Sequence, residues 1–110
     1  MRMMLYKVGE EPTLVDVRVP DDLPSIVGTD QYEWMTVRIL TFCIIHDAEG
    51  REHGKPLNRV MGKTKLYGDF LVSGLTWDDD GNTSVISISD GLVSLMRGTI
   101  FNRMPEAGEE

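Results

Sequence analysis

The chain has 110 residues, 41% of them hydrophobic and 26% charged, which suits one folded domain and excludes both a disordered chain and a string of modules. Its 18 acidic and 11 basic residues leave a formal charge of −7, an argument against direct nucleic-acid binding, because phosphate binding needs a basic surface. The single Cys43 can form no internal disulfide, no apolar run approaches the ~18 residues of a membrane span, and MRMMLYKVG is too short and too soon charged for a secretion signal, so a cytoplasmic protein without membrane association is expected.

Residues 3–8 read as an edge or first strand, closed by the polar turn GEEP. Leu14, Asp16 and Arg18 then point one way and Val15, Val17 and Val19 the other, which predicts a second strand that makes a hairpin with the first. Pro20, Asp21 and Asp22 stop that strand. Leu23, Ile26 and Val27 have helical spacing, Pro24 falls early enough to be tolerated, and Gly28 is placed to cap a short helix over 21–27. Alternation returns over 31–39, with Met35, Val37 and Ile39 on one face, and 40–45 is apolar on both faces, as in a central strand ending in the turn HDAEGRE. The pattern leaves open whether 31–46 is one bent strand or two. Pro56 predicts a single helical turn over 56–61, with Leu57, Val60 and Met61 inward and Asn58 and Arg59 outward. A strand over 70–77, the turn DDDGN with its Asp80-Gly81 pair, and a returning strand from Thr83 predict a hairpin. Ser89 or Asp90 caps a last helix in which Leu92, Val93, Leu95, Met96, Thr99 and Ile100 form a broad apolar stripe, while Gly91 and Gly98 weaken it.

These elements predict a single α+β domain over 1–103 with a flexible acidic tail over 104–110. Its sheet is mostly antiparallel, of five or six strands, with a C-terminal helix and one or two short helices packed on it, the two main helices covering one face. The expected core contains Val15, Val17, Ile26, Val37, Ile39, Phe42, Ile44, Phe70, Val72, Ile86, Leu92 and Leu95.

No motif fixes a reaction or a cofactor. Cys43 and His46 do not make a nucleophile and base, because odd and even strand positions face opposite sides, and a core thiol is the expected role of Cys43. His46, Asp47, Glu49, Glu52 and His53 carry metal-ligating groups, but their spacing matches no closed site and reads as a solvated turn. Asp78, Asp80 and Asn82 lack the later residues of a calcium loop and read as a hairpin turn. The most specific stretch is HGKPLNRVMGKTKLYGDFLVSGLT, which sets a basic, amide-bearing turn against a strongly apolar strand in an otherwise acidic chain. Lys55, Asn58, Arg59, Tyr67 and Asp69 are its candidate ligand or partner residues, since Arg59 offers a planar fork to a carboxylate or phosphate and Asn58 both donates and accepts. The competing structural reading is that Asn58 and Arg59 tie the turn to the sheet, with Arg59 paired to Asp69 or Asp47.

The segment DDLPSIVG and the strand after it, the block IIHDAEGREHGKPLNRV, and YGDFLVSGL leading into DDDGN and SISDG resemble, in that order, a family of short phage, prophage and plasmid proteins known as domain of unknown function 3846. The resemblance spans about residues 15–95, and its most specific part is PLNR followed by YGDFLVSG. GLVSLMRGTIF is more apolar than the charged helix such proteins usually carry. The resemblance implies an α+β domain and a mobile-element origin, and carries over no catalytic residue. Small size, acidity and this resemblance lead to the expectation of a non-enzymatic accessory or anti-defence protein that binds a host protein. The alternative is a protein or enzyme that holds a nucleotide or other small anion at the turn formed by Pro56, Leu57, Asn58 and Arg59.

Overall fold

The alternating stretches become strands wherever turn residues bracket them. In the computed structural model, which describes residues 1–97, the order is β1 (Arg2–Tyr6), β2 (Thr13–Asp16), α1 (Leu23–Val27), β3 (Glu33–Val37), β4 (Phe42–His46), β5 (Leu57–Met61), β6 (Thr64–Tyr67), β7 (Phe70–Trp77), β8 (Thr83–Ile86) and α2 (Asp90–Leu95). Six strands form one antiparallel sheet in the order β2-β1-β7-β4-β3, with β8 also paired to β7. β5 and β6 form a separate hairpin. The α+β class and the mostly antiparallel sheet are as the sequence predicts; β1 lies inside the sheet, between β2 and β7.

Side chains alternate across the strands, so adjacent residues enter different cores. Met4, Tyr6, Phe42, Ile44, Phe70 and Val72 pack on one face with Leu92, Val93 and Met96 of the α2 region and Leu66 of β6. Met3, Ile45 and Leu71 pack on the other with Val17 and with Leu23 and Val27 of α1. The two helices therefore lie on opposite faces, where a single covered face was expected. The described part of each is less than two turns and cannot hold itself, so burial must supply its stability, on the order of 2 kcal/mol for each large apolar side chain removed from water. Ser89 caps α2 by accepting a hydrogen bond from the Leu92 amide at 3.2 Å, and Gly28 ends α1 at a left-handed φ of 85°. The expected extension of α2 through Phe101 and the tail over 104–110 lie outside the described residues.

Three predicted core positions are exposed. The stretch 31–46 is two strands, joined by a 3-10 turn over Arg38–Leu40 and by Thr41 at φ 56°. That turn ends the alternation at Val37, so Ile39 sits at its apex, 91% exposed. Ile86 lies on β8, which among the described residues has only β7 as a neighbouring strand, and Leu95 ends the described helix; both are exposed. Among the described residues no helix is long and apolar enough to cross a membrane.

Candidate functional site

The predicted helical turn after Pro56 is instead strand β5. Leu57 pairs with Tyr67 and Arg59 with Leu66, so the strand holds one extra residue, a bulge at Asn58. The bulge places two consecutive polar side chains inside the protein. Asn58, almost fully buried, donates from Nδ2 to the carbonyls of Tyr6 and Gly68, both at 2.9 Å, and thereby ties β5 to the end of β1 and to the start of β7. Arg59 is 2% exposed. It donates from Nη1 to the Asn58 Oδ1 at 2.8 Å and from Nη2 to the Glu10 carbonyl at 2.7 Å, and its guanidinium lies 5.7 Å from the centre of the Tyr6 ring. Burial lowers the pKa of Arg59 against the opposing pull of Tyr6 and Glu11, and burial pushes the Tyr6 hydroxyl up to about 12. Asn58 and Arg59 thus tie this segment to the sheet, with Arg59 bonding the backbone of the β1–β2 turn.

The carboxylate that organises the neighbouring loop is Asp47. It is buried, its Oδ2 meets the His53 Nδ1 at 2.6 Å and the Lys55 Nζ at 2.8 Å, and its Oδ1 accepts the Glu49 amide at 3.0 Å. Burial alone would push this carboxyl up; the bonds from Lys55, His53 and Glu49 and the Lys55 charge outweigh it and hold the pKa at about 2. The sequence presents Asp47 as a loop residue, and the available signal was that its partners, His53 and Lys55, follow six and eight positions later on the same turn.

Lys55 also donates to the Val27 carbonyl at 2.9 Å, at the end of α1. A side chain needs room to make that crossing. At Gly68, with φ +77°, a Cβ would stand 2.6 Å from the Lys55 Cδ, and at Gly28 a Cβ would stand 3.2 Å from its Nζ. Glycine at both positions therefore lets Lys55 stretch from the Asp47 loop to the helix. Beside it opens a cleft of about 440 Å³ between α1 and the β5–β7 region, walled by Val8, Ile26, Val27 and Pro56 and holding Lys55 and Asp69. The half-buried Asp69 accepts the Val8 amide on Oδ1 at 3.0 Å. Of the five candidate residues the cleft brings together Lys55 and Asp69; Asn58 and Arg59 are buried in the fold, and the half-buried Tyr67 has its backbone close against Gly50. Lys63 and Lys65 are exposed on the β5–β6 hairpin.

The remaining constellations have structural roles. Cys43 is fully buried, and burial pushes its thiol up to about 11. Asp78 accepts the amides of Asp80 and Asn82, both at 2.9 Å, as a hairpin turn requires. Among the described residues no three His, Cys, Asp or Glu side chains are grouped to hold a metal ion. A second concavity, about 250 Å³, lies on the sheet beside Trp34, Thr36, Cys43, Leu75 and Val85.

Fold and cleft together define a small α+β domain in which the polar residues of the most specific stretch hold a loop, a helix and a bulged hairpin around a recess. The chain belongs to the family described as domain of unknown function DUF3846, whose model matches residues 1–98. No curated protein and no solved structure matches it.

Proposed function

We propose that this chain is a non-enzymatic accessory protein of a phage or other mobile element, acting in the host cytoplasm by binding a host protein, with the cleft beside Lys55 and Asp69 as its contact. The observation that carries this reading is the burial of Arg59, with donors turned to Asn58 and Glu10, in the segment where it was a candidate for holding an anion or a partner. Asp47 is likewise paired with His53 and Lys55, so these three polar groups are committed to structure, and a recess with apolar walls that contains Asp69 is left for recognition. The mobile-element origin rests on the resemblance of PLNR and YGDFLVSG to short phage and plasmid proteins, and a formal charge of −7 favours a basic partner. Affinity purification from host lysate, with and without nuclease, tests it. Retention of one protein in both conditions is expected, and no partner above background in either would count heavily against the reading. Arg59 at 2% exposed has little surface to offer the small-anion alternative. A thermal-shift screen separates the two, because a nucleotide at 100 times its dissociation constant would add about 2.7 kcal/mol of stability.

A further inference from the structure

We infer that the cleft between α1 and the β5–β7 region receives a cationic side chain, arginine or lysine, from the protein partner; this rests on the binding-protein reading and reverses the sign of ligand that the basic turn suggests. Among the described residues the cleft is lined by two ionisable side chains, Lys55 and Asp69, and their situations differ. Lys55 is spent: its ammonium is held between the buried Asp47 carboxylate at 2.8 Å and the Val27 carbonyl at 2.9 Å, and its stem is confined by Gly28 and Gly68. Asp69 has only an amide from Val8 on Oδ1, and among the described residues no cation stands within ion-pair distance of it. Arg59, which an anion would need, is buried in the fold. The recess therefore presents one uncompensated carboxylate at half-burial between apolar walls.

That combination selects its occupant by chemistry. A half-buried carboxylate has lost part of its hydration, so an incoming ammonium or guanidinium interacts with it more strongly than in open water. The walls of Val8, Ile26, Val27 and Pro56 suit the methylene stem behind such a head group. At about 440 Å³ the recess is at the small end of ligand pockets, roughly 300–1,000 Å³, and fits one long side chain better than an extended ligand. The whole-chain charge of −7 draws the same class of partner from a distance.

Titration of the isotope-labelled protein with N-acetylarginine methylamide, followed by amide NMR, tests the inference. Saturable shifts at the Gly28, Gly68 and Asp69 amides are expected, while the uncharged citrulline analogue and inorganic phosphate leave them in place. Asp69→Asn keeps an acceptor oxygen for the Val8 amide and is expected to weaken arginine binding at least tenfold; Ser25→Trp, at an exposed position of the rim, is expected to block it while leaving the fold intact. No saturable shift with arginine, the same shifts with phosphate, or undiminished arginine binding by Asp69→Asn would each overturn the inference. The two proposals fail separately. A partner retained equally by wild type and Asp69→Asn overturns the cation cleft and leaves the binding-protein reading standing, whereas the absence of any retained partner removes that reading whatever the probe does.

Discussion

Arg59 and Asp47 are both buried ionisable residues, and they respond differently to perturbation because their partners differ. Arg59 bonds to backbone and amide oxygens and covers the Tyr6 ring, so Arg59→Ala strips donors from Asn58 and Glu10 and leaves a hole. Destabilisation of about 3 kcal/mol is expected in urea titration, with Arg59→Lys recovering only part of it because an ammonium lacks the fork. A loss below about 0.5 kcal/mol, the level of an ordinary surface change, would contradict the burial of Arg59. Asp47 contributes to acid behaviour. Its pKa falls from 3.8 to about 2 on folding, so its contribution is fully present above the unfolded value and is lost as pH drops through the window from about 4 to about 2. The difference in unfolding free energy between wild type and Asp47→Asn should shrink as pH falls across that window. A difference that grows on acidification would mean that Lys55 and His53 do not hold the carboxylate in its charged form.

At the scale of elements, irregular backbone explains both what the sequence conceals and where the fold can be improved. Strand β7 and its turn into β8 were legible because a strongly apolar run leads into Asp80-Gly81, and α1 because Pro24 and Gly28 bracket it. Strand β5 was not: the bulge at Asn58 separates the inward Leu57 and Val60 by three positions, a helix-like spacing, and Pro56 suits a helix start as well as a strand entry. Ile39 misled for a related reason, since the 3-10 turn breaks the parity that its neighbours obey. That turn stores strain. Thr41 is exposed and adopts φ 56°, ψ 44°, where a β-branched side chain is disfavoured by roughly 1–2 kcal/mol. Thr41→Gly relieves the clash but adds freedom to the unfolded chain, so a gain of up to about 1 kcal/mol in thermal or urea unfolding is expected. A clear loss would show that the threonine side chain makes a compensating contact.

At the scale of the whole molecule, composition conveys class and charge more readily than it conveys the site. Lys55 and Asp69 could be named from one basic stretch, but the cleft they share also needs α1, about 30 residues earlier, and no local pattern places Val27 against Lys55. The same separation in sequence shapes how the chain reaches this fold. The Arg2 guanidinium donates to the Ile88 carbonyl at 2.6 Å and pairs with Asp90 at 2.9 Å, and the Ile88 amide donates to the Arg2 carbonyl at 2.9 Å. That seam joins residues 86 positions apart, and closing so long a loop carries an entropic penalty of about 4 kcal/mol before any contact repays it. Hairpins β3–β4, β5–β6 and β7–β8 close short loops and can form first, which leaves the Arg2 seam to zip after the rate-limiting step. Arg2→Ala should then lower stability by about 1 kcal/mol, quicken unfolding several-fold and leave the refolding rate almost unchanged in stopped-flow experiments. Refolding slowed in proportion to the lost stability would mean that β1 and the segment after β8 meet in the nucleus. With late zipping, the seam acts as a latch that sets how long the native state lasts and has little influence on how quickly it is found.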